Sequence, residues 1–242
     1  MMRSGNPALK GEIFTGMRAA QGESAMTIQG TTNKTFILLG LAMLMAFWAW
    51  GNPRIATPFL FPALIGGFIV AIVTVFKKEW SPITAPIYAA LEGIVLGAIS
   101  LAFEKSYPGI VKQAIGLTFG VLFSLLVIYK SSLIKVTENF KLGVFAATGG
   151  IALFYLVSMI ASFFGARFQI IYGNSLIAIG FSVFVVIIAA LNLVMDFDFI
   201  EKGAEYGAPK YMEWYGAFGL IVTLVWLYLE ILRLLAKLQS RR

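Results

Sequence analysis

Twelve acidic side chains and no histidine or cysteine leave this 242-residue chain with carboxylates as its chemically versatile groups. Two of them stand out in LNLVMDFDFIE, where Asp196 and Asp198 close a run, Asn174 to Met195, that carries no charge. Glu230 lies inside GLIVTLVWLYLEILRLLAKL, and Glu92 inside IYAALEGIVLGAIS. Carboxylates within such runs are costly in hydrocarbon, so a functional role is the default expectation. Without histidine, any response near neutral pH would have to come from carboxylates whose proton affinity burial has altered. Without cysteine or histidine there are no disulfides, no thiolate chemistry and none of the usual zinc or haem ligation.

Each acid has a plainer reading. Asp196 and Asp198 are two apart and point about 200° away from each other on a helix, so only one can face a given cavity. Both could mark the cytosolic end of a span, with Lys202 beside Asp198; Asp196 has Asn192 on its own face, four residues back. Glu230 has Arg233 three residues along as a local partner. Glu92 lies nine residues into its apolar run with no basic residue at i±3 or i±4, which leaves protonation, a partner on another helix, or a wet cavity. Glu213, Trp214, Tyr211 and Tyr215 read as an interfacial belt.

These acids must be positioned by membrane helices. The chain is 59% hydrophobic and 13% charged, with mean hydropathy +0.85, too apolar for a soluble domain of this size. About twenty apolar residues cross the hydrocarbon core, and the sequence offers seven such stretches: Thr35–Trp50, Ile55–Phe76, Ile83–Phe103, Ile110–Tyr129, Leu142–Phe164, Asn174–Phe199 and Glu213–Lys237. The expected class is all-α: a polar cytosolic tail over 1–34, with a short interfacial helix around Asn6–Arg18, then one transmembrane domain over 35–242. No secretory signal peptide is evident. The connections are short and rich in turn formers, as in GNPR, KSYPG and GAEYGAPK. Gly93-x-x-x-Gly97 and Gly116-x-x-x-Gly120 read as close helix packing, and Pro62 as a kink.

The net charge of +7 reads as membrane topology rather than nucleic-acid binding. With the N-terminus inside, eleven Lys and Arg fall on the inner face, and Arg54, Lys105, Lys112 and Arg167 on the outer. Seven full crossings would put Arg233, Lys237, Arg241 and Arg242 outside, unless the last segment turns back as a re-entrant hairpin.

With these residues assembled, the chain resembles the Bax inhibitor family, in its bacterial YccA-like branch. The resemblance rests on seven spans, LVMDFDFIEKG at the end of the sixth, LYLEILRLL in the last, and MTIQGTTNKT with YAALEGIVLGAIS as in the subgroup with a longer cytosolic tail. It implies six helices around a central C-terminal helix and a pH-sensitive calcium leak in the bacterial inner membrane. It also implies an acid pair between the sixth and seventh helices, by position Asp196 and Glu230, able to hold calcium transiently. The last-helix acid is Glu where the family usually has Asp, and Asp198 competes with Asp196. A symmetric hairpin turning near Tyr206 would set Asp196 level with about Gly216 and leave Glu230 about 20 Å higher. In that register Glu230 would share a site with Glu92 instead.

A carboxylate pair in a dry cleft titrates as a unit. One shared proton would join two helices; the doubly ionised pair would repel and attract Ca²⁺, which prefers oxygen ligands. The expectation is therefore a leak gated by Asp196, Glu230, Asp198 and Glu92, with calcium as the transported ion, protons and the bilayer as partners, and no cofactor. Its rivals are a non-conducting regulator of other membrane proteins, such as a membrane protease, acting through the tail, and a proton-coupled exchanger. An enzyme is not expected, since the Gly-x-Gly-Asp motif of paired-aspartate intramembrane proteases is missing.

Overall fold

The structure is a computed structural model, described here for residues 24–241 apart from 132, 166 and 167. Long apolar runs become long helices: α1 (Ile28–Gly51), α2 (Pro53–Phe76), α3 (Ser81–Ser106), α4 (Ile110–Lys130), α5 (Glu138–Phe163), the short α6 (Gln169–Tyr172), α7 (Leu176–Glu205) and α8 (Met212–Gln239). Seven of them are long and apolar enough to cross a membrane. Among the described residues the extended structure is an isolated bridge, Ala25 with Pro209. Phe36, Phe61, Phe68, Phe145 and Phe163 are largely exposed, as side chains that face lipid rather than water would be.

Local chemistry sets the helix ends. Thr27 caps α1, its hydroxyl accepting from Gly30 N at 2.9 Å, and Thr137 caps α5 through Phe140 N at 3.2 Å. Pro53 opens α2, where a missing N–H is harmless. At the α3–α4 turn, Glu104 accepts the N–H groups of Gly109 (2.7 Å) and Val111 (3.1 Å), and Gly109 has the positive φ of 86° that the turn requires. α7 ends at Gly207, φ 68°, with Ala208 N donating to Gly203 O at 3.0 Å, the bond that closes a Schellman turn.

The chain divides into two compact units. The first takes residues up to Leu101 together with Asp196–Val222; the second takes Ala102–Met195 and Thr223–Arg242. In the first, α3 lies against α1 at Gly93 and Gly97: a Cβ on Gly93 would run into the Ala42 carbonyl, and one on Gly97 into that of Ala46. This is the backbone approach that the glycine spacing predicts. In the second, Ile151, Val185 and Ile188 form a buried cluster, with Phe181, Leu191 and Trp226 against it.

Several expectations change. α1 starts at Ile28, so residues 28–34, expected in the tail, are helical; the Thr27 cap supplies the start signal. α7 runs past Asp196 and Asp198 to Glu205, so both aspartates are inside the helix rather than at its end. The last segment is one continuous 28-residue helix, which removes the re-entrant hairpin, and its apolar stretch is more buried than that of any other span. Around Gly116 and Gly120 a Cβ would meet nothing within 4 Å, so that second glycine pair packs no helix of this chain among the described residues. The helix expected over Asn6–Arg18 and the tail before residue 24 lie outside the described residues.

Candidate functional site

α8 carries two sealed acids, one in its first turn and one about two-thirds of the way along. In the first unit Glu213 sits in the first turn of α8, where the helix dipole favours an anion, and is 0% exposed. Its Oε1 accepts from Thr27 N (3.0 Å), Thr27 Oγ1 (2.8 Å) and Lys210 Nζ (2.8 Å), and its Oε2 takes the Lys34 ammonium. Lys34 also lies over the Trp214 ring, 5.5 Å from its centre. Gly30 passes so close to this carboxylate that any Cβ there would overlap it. Met26 N donates to Ala208 O at 2.7 Å, which adds a backbone tie between the same two segments. Residues 25–34 therefore form a strap fastened to the α7–α8 connection. The belt expected at Glu213 is a buried ionic hub. Lys210, three residues before Glu213, was a readable partner; Thr27 and Lys34 come from 186 and 179 residues away and left no local signal.

The other acids of the first unit take separate settings. Asp198 pairs with Lys202 at 2.7 Å, the plain reading of that residue. Asp196 is half-buried, its Oδ2 closed to solvent and its Oδ1 3.6 Å from where a Gly219 Cβ would stand. α7 thus brings Asp196 to α8 at a point where α8 has no side chain. The Tyr88 ring of α3 meets Phe218 edge-on at 5.0 Å, so α3 and α7 both reach α8 at Phe218–Gly219. Glu92, one turn on from Tyr88 and half-buried, has its Oε2 3.8 Å from where a Gly67 Cβ would stand on α2. Both acids occupy space that a glycine on a neighbouring helix leaves open.

In the second unit Glu230 is 1% exposed. Its Oε1 accepts from Tyr155 Oη at 3.0 Å and from Arg233 Nη1 at 2.8 Å, while Oε2 is 3.1 Å from the same nitrogen. Arg233 Nη1 also donates to Tyr155 Oη at 2.8 Å and its guanidinium lies over that ring, 5.2 Å from the centre. The Arg233 side chain keeps about a third of its surface open, so this triad is sealed on the carboxylate side and wet on the cation side. Asn192 on α7 donates to Thr148 Oγ1 on α5 at 2.8 Å, a second polar link through the apolar packing. Arg233 is the local partner the sequence offers; Tyr155 was unforeseen, because nothing in α5 marks it off from other aromatics.

The last helix thus carries two stations, one in the first unit, at Gly219, that receives Asp196 and one in the second, at Glu230, that receives Tyr155. Among the described residues there is no group of three or more acids that could hold a metal ion.

Residues 6–240 match the family described as Bax inhibitor 1 like. The chain belongs to that family. No curated protein and no solved structure gives a match. The matched part of this Bax inhibitor 1 like chain takes in the strap, the Glu213 hub and both stations on α8.

Proposed function

We propose that this chain is a proton-gated cation leak with calcium as the permeant ion, seated in a bacterial inner membrane with its N-terminus in the cytosol. The observation that carries the reading is Glu230, a carboxylate sealed in a membrane-spanning helix whose charge is balanced by one guanidinium that still reaches water. Adding a proton to Glu230 removes the charge that holds Arg233 and leaves a cation beside the Tyr155 ring, so the two protonation states favour different arrangements of α5 and α8. Asp196 at Gly219 is the second carboxylate of the gate and Glu92 at Gly67 the third, while Asp198 is paired with Lys202. Oxygen ligands from Asp196 and Glu230 are of the type calcium prefers, each as a transient stop rather than a resident site. Arg233 is bonded to Glu230 within α8 and Lys237 to Ser182 on α7, so the orientation is counted from the loops, where Lys and Arg favour the N-terminal side.

The test is calcium flux into vesicles holding the purified chain, compared with Asp196→Asn and Glu230→Gln. Both variants are expected to alter the rate and flatten its pH dependence. Equal flux and equal pH dependence in all three would sink the gating role.

The rival reading, a non-conducting regulator that binds other membrane proteins through its tail, draws support from the strap, which ties the tail to the α7–α8 connection. Deleting residues 1–23 separates the two: a leak keeps conducting, whereas a regulator loses its partner.

A further inference from the structure

Lys237, in the last turn of α8, is 6% exposed. Its ammonium donates to three oxygens of the second unit: Ser182 Oγ at 2.8 Å, Ala178 O at 3.1 Å and Ile170 O at 3.3 Å. The first two belong to α7 and the third to the short α6. None of the three is a carboxylate. The charged groups on the same face of α8 are Arg233, one turn back, and Glu230, two turns back, and Glu230 is already taken by Arg233 and Tyr155. Position near a helix C-terminus favours a cation here only weakly. Burying an ammonium without a bonded carboxylate is costly, and a neutral amide could satisfy the same oxygens without that penalty. Something about the charge itself is therefore being used.

Main-chain carbonyls and a hydroxyl aimed at one point are the means by which proteins replace the water shell of a monovalent cation. Calcium would ask for carboxylates and six or more oxygens; magnesium for a much tighter octahedron. We propose that Ile170 O, Ala178 O and Ser182 Oγ form a binding site for a monovalent cation of potassium or ammonium type, and that the Lys237 ammonium is its tethered occupant, keeping free ions out. The site stands apart from the leak reading, since it can bind an ion without conducting one.

Removing the tether should open the site to free cations. The full-length chain is purified in detergent, and melting is followed in choline, potassium and ammonium chloride at equal ionic strength. Wild type is expected to melt at one temperature in all three. Lys237→Met, which keeps the apolar stem, is expected to melt lower in choline and to recover by at least about 2–4 °C in potassium or ammonium, with a saturable dependence on the ion. Adding Ser182→Ala to Lys237→Met should abolish that recovery. If Lys237→Met melts alike in choline and potassium, or is not recovered folded in any of the three salts, the site does not exist. Recovery that survives the loss of the Ser182 hydroxyl also overturns it.

Discussion

The Glu213 carboxylate accepts twice from Thr27, through the backbone N–H at 3.0 Å and the hydroxyl at 2.8 Å, across 186 residues of chain. Through it the start of the first span is fastened to the start of the last. Lys34 and Lys210 complete the shell, and with the carboxylate fully buried its charge depends on them. Glu213→Gln would leave a partly buried Lys34 ammonium without its anion and is expected to cost about 3–5 kcal/mol, read as a lower melting temperature in detergent. Lys210 is half exposed, so Lys210→Ala should cost no more than about 1 kcal/mol. Equal losses in the two variants would contradict the buried-hub description.

Glycine substitutions separate packed from open faces. Gly93→Ala and Gly97→Ala push a methyl into the α1 backbone and are expected to destabilise by about 1–3 kcal/mol. Gly116→Ala and Gly120→Ala add a methyl where nothing lies within 4 Å, and gain from helix propensity up to about 1 kcal/mol. Gly30→Ala belongs with the first pair, since its Cβ would overlap the Glu213 carboxylate. Thermal unfolding of the five variants checks this ordering.

That contrast also shows how far the sequence could be read. Both glycine pairs have the same spacing, and spacing alone cannot say which faces a neighbour; only the Gly93 pair meets one. Span number and class followed from long apolar runs, because the bilayer fixes their length. Helix ends were less legible: α1 begins two turns early because Thr27 caps it, and α7 continues past its aspartates because glycine at 207, not charge, ends it. Local ion pairs, Asp198 with Lys202 and Glu230 with Arg233, were visible at helical spacing. Tyr155 on Glu230 and Thr27 on Glu213 come from distant chain and had no local pattern to betray them.

The Tyr155–Glu230–Arg233 triad should behave as a coupled unit. Arg233→Met strands a sealed carboxylate and is expected to cost about 2–3 kcal/mol, while Tyr155→Phe removes one bond to a charged group for about 1.5–3 kcal/mol. Combining Arg233→Met with Glu230→Leu should restore most of the loss, because no buried charge remains. Additive losses in a double-mutant cycle would show that the three groups do not act together.

A more open pair of the same kind is Asp198 with Lys202, at i,i+4, whose lysine is about a third open to solvent while the carboxylate is mostly covered. Asp198→Asn is expected to change stability by no more than about 0.5 kcal/mol and to leave calcium flux and its pH dependence as in wild type. A flux change as large as that of Asp196→Asn would move the gate to Asp198.

The central claim is that protonation of carboxylates inside the spans controls passage of a cation. Calcium entry into vesicles containing the purified chain, followed with an internal indicator over a pH series and compared with protein-free vesicles, tests it most directly. The account predicts a flux above the protein-free background that changes sigmoidally with pH. A flux indistinguishable from that background at every pH, in vesicles shown to contain folded protein, would contradict it.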